Sequence, residues 1–182
     1  VVAAAGAVAL PVAASISTGF LGAPGRGVAA ACVVSGGPRH GTRTLQCAIW
    51  PGAAAAAVVV SDRFEPWSAA ALVLVVSAYE IGDYLVGSGA RNALEGPVAG
   101  AAAVLVVHFA VTAVGLPPFE LPEGLWFAVA AAVLCPLGQL VASLVLPSTR
   151  APASALRRLD SLLLLGPVWA WWAGLAVVSN AR

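Results

Sequence analysis

With 182 residues, 60% of them hydrophobic and 9% charged, the chain carries well under half the charge of an ordinary soluble domain, where roughly a quarter of positions are charged. A mean hydropathy of +0.94 and several long stretches without a charge exclude a water-exposed fold around one core. The formal net charge is +1 and all nine basic residues are arginine, which excludes a nucleic-acid binder built on a basic surface. The predicted fold is therefore all-α: a polytopic membrane bundle of about six transmembrane helices, organised as one domain over 1–182.

The first apolar stretch, 1–22, has no basic leader over Val1 to Leu10 and reads as a first membrane helix rather than a signal peptide. Gly22 to Thr44 reads as loop, although Val28 to Val34 is apolar enough to dip into a bilayer. The second stretch, 45–60, is short for a hydrocarbon core of about 30 Å and is interrupted by Pro51 and Gly52, which predicts a tilted, broken or re-entrant segment. Further spans are expected at 67–86, 96–115, 124–146 and 161–178, each bounded by Pro, Gly or charged residues. Small-residue runs such as Ala53 to Ala57 and Gly100 to Ala103 allow close helix approach where no hydrophobic effect drives association.

Arginine distribution sets an expected orientation. Arg26, Arg39 and Arg43 fall in the first loop, Arg91 in the third, and Arg150, Arg157 and Arg158 in the fifth, which places these loops in the cytoplasm. Asp62, Arg63 and Glu65 in the second loop and Glu120 and Glu123 in the fourth are net acidic and expected outside. Six alternating spans then leave both termini outside, in the cell membrane.

Glu80 and Asp83, in SAYEIGDYLVG at the end of the third span, are three residues apart and so share a helix face without a local cation. Either the helix ends early and both are wet, or they line a cavity, because a carboxylate within a span costs a few kcal/mol (roughly 3 on insertion scales). Asp160 opens the last span behind Arg157 and Arg158, a position that suits a helix cap as well as a ligand. Trp169, Trp171 and Trp172 read as interface anchors or lipid-facing packing; His40 and His108 as structural; and Cys32, Cys47 and Cys135, which lack metal-site spacing, as small packing residues. The charged residues from Glu80 to Glu95 and from Arg157 to Asp160 fall near one predicted membrane face. Carboxylates hold divalent cations and guanidinium groups clamp phosphate, so such a pocket beside lipid suits a phosphorylated headgroup.

Two blocks between 76 and 172 resemble the phosphatidate cytidylyltransferase family. EIGDYLVG at 80–87 with ARNALEGPVAG at 90–100 resembles the family's Asp-Thr-Gly-Ala-Tyr-Phe-x-Gly and Glu-Gly-x-x-Gly-Gly segments, keeping Tyr84, Gly87, Glu95, Gly96 and Gly100. The stretch 135–172 is similar to the family's Gly-Asp-Leu-x-x-Ser through Leu-Asp-Arg-x-Asp-Ser-Leu, keeping Gly138, Ser143, Arg158, Asp160, Ser161 and Pro167. Two family acids are replaced, by Gln139 and Arg157, and of two paired lysines one is Arg91 and the other Asn92.

The resemblance implies a membrane nucleotidyltransferase of phospholipid biosynthesis that makes CDP-diacylglycerol and pyrophosphate from CTP and phosphatidate. It implies Asp160 and Arg158 at the chemistry, Arg91, Glu95, Ser161 and Arg157 on substrate phosphate, and Asp160, Glu80 and Asp83 around Mg2+ or another divalent cation. Its expected partners are phosphatidate, CTP and a second copy in a homodimer, with no nucleic acid. Two other readings stand beside it: a non-catalytic relative that binds lipid or a partner protein, and a small membrane transporter.

Overall fold

The computed structural model describes residues 2–16, 46–145 and 159–180. They form α1 (Val2–Ile16), α2 (46–64), α3 (Pro66–Gly87), α4 (Glu95–Ala113), α5 (Glu123–Val145) and α6 (Leu162–Asn180), with no strand among the described residues. The fold is the all-helical bundle that the composition predicts. Three described helices are long and apolar enough to cross a membrane: Pro66–Gly87, Glu95–Ala113 and Glu123–Leu144. The expectation of about six spans is thereby reduced to three by length and composition. Two shorter apolar helices, Ala5–Ile16 and Leu162–Val177, pack beside them.

Local chemistry explains where the helices begin and end. Glu65 is extended (φ −158°, ψ 117°) and Pro66 occupies the first helical position of α3, where its missing N–H costs nothing and its fixed φ suits the helix. In the α3–α4 turn, the Asn92 side-chain oxygen accepts from Leu94 N (3.1 Å), and Glu95 accepts from Arg91 N (3.3 Å) while placing an acid in the first turn of α4. The chain leaves α4 through Gly115, whose φ of 69° is left-handed and free of strain only for a residue without Cβ. The stretch expected at 45–60 is a continuous helix through Pro51 and Gly52, not a broken or re-entrant segment. Pro136 and Pro167 likewise lie inside α5 and α6.

α3 packs most extensively on α4, α4 on α5 and α5 on α6, and α3 also touches α5 and α6. Successive helices from α2 onward run antiparallel. Gly166 of α6 lies against Ala54 and Ala57 and Gly174 against Phe64, so α2 and α6 run the same way. α1 departs from the expected alternation. Ala7 and Leu10 lie against Gly52 while Arg63 donates to the carbonyls of Ser15 and Ile16 (2.8 and 3.1 Å), so α1 runs parallel to α2.

One core joins α2 to α6 around Leu72, Val75, Tyr79, Val104, Leu163, Leu165 and Trp169. At the end of the bundle away from Glu80, an aromatic cluster brings His108 within 5.3 Å of Phe119 and 5.8 Å of Trp169, with Phe127 between α5 and α6. Trp169 therefore corrects its expected role. It is fully buried and donates from Nε1 to Ser68, while Trp171 remains outward-facing. Cys135 is buried in the core and Cys47 half-buried; Cys32 and His40 lie outside the described residues. Large apolar side chains such as Phe109, Trp126 and Leu144 stay exposed around the outside, a surface that requires lipid or another apolar environment.

Candidate functional site at one end of the bundle

α3 is set by its apolar face against α4 and α6, and this fixes which way its polar residues turn. Glu80 lies about 10 Å and Asp83 about 6 Å along the axis from the end of α3, taking 1.5 Å per residue. Both are half-buried, so the reading in which the helix stops early and leaves them in bulk water does not hold. Although three residues apart, they take different partners.

Glu80 reaches the start of α6. The Ser161 hydroxyl, fully buried, lies 3.2 Å from Glu80 Oε1 and 3.3 Å from Asp160 Oδ1, and the Ser161 backbone N–H donates to the same Asp160 oxygen at 2.8 Å. One serine thus gathers two carboxylates that are eighty residues apart in the chain. Burial pushes the Asp160 carboxyl above its usual range, the Ser161 donors act against that rise, and the nearby Asp83 charge adds to it.

The approach of α5 makes this gathering possible. A side chain at Gly138 would collide with the Asp160 carbonyl, so only glycine lets α5 pass this close to the entry of α6. Across α3 and α4, a Cβ at Gly100 would sit 2.8 Å from the Tyr79 ring, which keeps the α3–α4 hairpin tight and aims Tyr79 at α5.

Asp83 turns instead toward α5 and α4. Gln139 donates from Nε2 to Asp83 Oδ2 at 3.1 Å and accepts from the Tyr79 hydroxyl at 2.9 Å. Asp83 also lines a cavity of about 480 Å3 at the α3–α4 turn, together with Tyr84, Ser88, Arg91, Asn92 and Gly96. Arg91, expected on phosphate, is at this cavity; Glu95 is exposed and holds its own turn through Arg91 N. A second cavity, about 680 Å3 between α1, α2 and α6, is lined by apolar residues such as Leu10, Val60 and Trp171 and contains none of these groups.

Glu80, Asp83, Asp160 and Ser161 therefore come together, with Arg91 on the cavity wall beyond Asp83. Arg157 and Arg158, with the first-loop arginines and Arg150, lie outside the described residues. Tyr79 as a member of the site was not expected, and Gln139 was read only as a lost acid. An amide in an otherwise apolar span was the signal, because such a group is retained in hydrocarbon when it has partners.

Among the described residues no group of three or more His, Cys, Asp or Glu side chains is arranged to hold a metal ion. The donor set fits a smaller demand. Mg2+ commonly takes one or two protein carboxylates and completes its shell with water and substrate phosphate, and Glu80 with Asp160 supplies such a pair. Compared with family models, with curated proteins and with solved structures, the chain matches none. What fold and site define together is a class: a protein all-helical among its described residues, with three helices long and apolar enough to span a membrane and a half-buried carboxylate–serine cluster at one end.

Proposed function

We propose that this is a membrane protein of phospholipid biosynthesis of the phosphatidate cytidylyltransferase kind, binding a phosphate-bearing lipid headgroup and CTP at the end of the bundle that carries Glu80. The reading rests on one observation above others: the two blocks that resemble the family, separate in sequence, meet where Ser161 lies within hydrogen-bond distance of both Glu80 and Asp160. In this reading the pocket faces the cytoplasmic side of the cell membrane, with Arg91 in the α3–α4 turn at that end and the acidic Glu120 and Glu123 at the other.

In this reading a phosphatidate oxygen attacks the α-phosphorus of CTP, the bond to the β-phosphate bridging oxygen breaks, and pyrophosphate leaves. Arg91 clamps phosphate oxygens at the cavity wall, and Arg157 and Arg158 supply further cations. Asp160 and Glu80 would hold Mg2+, which would offset charge on the cytidylyl group being transferred. Ser161 orients the two acids toward one another, and Asp83 fixes the floor of the cavity.

The test is a reconstituted protein given CTP, phosphatidate and Mg2+. Formation of CDP-diacylglycerol is expected, with Asp160→Ala lowering the rate at least about 100-fold, the loss of about 3 kcal/mol of barrier stabilisation. Absence of product above background from the parent removes the catalytic reading.

One observation favours a second reading. An amide, Gln139, occupies the place beside Asp83 where the resemblance expects a metal-side acid. A non-catalytic relative that keeps the pocket and binds lipid or nucleotide accounts for that replacement, and phosphatidate or CTP binding without turnover is its signature.

A further inference from the structure

We propose that Gln139 stands in for a cation at Asp83, making Asp83 a fixed hydrogen-bond acceptor of the cavity rather than a metal ligand. The Gln139 carboxamide is held at both ends. Its Oε1 accepts from the hydroxyl of Tyr79, a fully buried residue, at 2.9 Å, and its Nε2 donates to Asp83 Oδ2 at 3.1 Å. Reversing the amide would set its oxygen against a carboxylate oxygen, so the Asp83 acceptor dictates the orientation. An amide N–H then covers the lone-pair side of Oδ2 from which a cation would be ligated.

The second oxygen, Oδ1, packs against Gly96 in the first turn of α4, where the positive end of the helix dipole favours a carboxylate. Asp83 is thereby tied to a neutral amide, and Tyr79 locks that amide from behind. Glu80 and Asp160 are joined through Ser161 and take no part in this arrangement. The inference goes beyond the function proposed above and does not require turnover.

The test uses the full chain in nanodiscs of neutral phosphatidylcholine, stripped of metal and titrated with Mn2+, free Mn2+ being read by electron paramagnetic resonance. Asp83→Asn is expected to leave the number of bound Mn2+ unchanged. Gln139→Glu, which sets a second carboxylate beside Asp83, is expected to gain one site per chain, and Asp83→Asn in that background to lose it. Loss of a parent site in Asp83→Asn overturns the proposal, as does a folded Gln139→Glu protein that gains none. Should Gln139→Glu fail to fold, the Asp83→Asn titration of the parent decides alone. A parent site lost in Glu80→Gln or Asp160→Asn bears on the Mg2+ pair of the proposed function and not on Gln139, so the two failures are separable.

Discussion

Ser161 does at one position what no local sequence feature announces: its hydroxyl and backbone N–H serve two acids, one on α3 and one in the turn that enters α6. Ser161→Ala removes the tie between α3 and the entry of α6. Because side-chain hydrogen bonds inside membrane proteins are worth on average about 0.6 kcal/mol, a loss of stability of about 1 kcal/mol is expected in reversible unfolding by denaturing detergent. Asp160 gives a pH signature. Its folded form favours the neutral acid, so the parent becomes progressively less stable as pH rises from the ordinary carboxylate value of 3.8 through the raised one. Asp160→Asn, neutral throughout, should therefore gain stability relative to the parent over that window and keep a constant advantage above it. Thermal unfolding of both proteins between about pH 4 and about pH 8 checks this, and a difference that does not change with pH contradicts it.

At the scale of elements, much of the architecture was legible because hydrophobic length is a strong signal. The spans predicted at 67–86, 96–115 and 124–146 correspond within a few residues to α3, α4 and α5. Pro51 misled, since a proline in hydrocarbon-facing helix reads as a break yet α2 continues through it. Side-chain partnership was less legible. A three-residue spacing puts Glu80 and Asp83 on one face, but helix crossing decides that one faces α6 and the other α5, and crossing depends on contacts such as that of Gly138 with Asp160. Gly138→Ala should consequently cost about 1–3 kcal/mol by overpacking and should weaken ligand binding as well, because it forces the entry of α6 away from α5. Unfolding and headgroup-binding measurements on that variant test the point, and unchanged stability would show that the close approach is dispensable.

At the scale of the molecule, Trp169 shows why membrane tryptophans are hard to assign from sequence: hydropathy does not separate a lipid-facing indole from one that bonds Ser68 inside the bundle. The antiparallel order of α2 to α6 sets the α3–α4 turn and the entry of α6 at one end and the α4–α5 turn at the other. Cysteines introduced at Ser88 and at Glu120 should thus be labelled by impermeant maleimide from opposite sides of intact membranes. Labelling of both from one side would contradict a spanning bundle.

The meeting of α3 with the entry of α6 carries the proposed site, and chemical cross-linking reads that meeting directly. With Cys32, Cys47 and Cys135 replaced by Ala, the double variant Glu80→Cys with Ser161→Cys is treated in its native membrane with a short bifunctional methanethiosulfonate reagent, because the Glu80 carboxylate reaches Ser161 at 3.2 Å whereas a cysteine at that position is two bonds shorter. Intramolecular cross-linking is expected, seen as a mobility shift that reductant reverses. Failure to cross-link in a folded protein, with both thiols still open to small alkylating reagents, would contradict it.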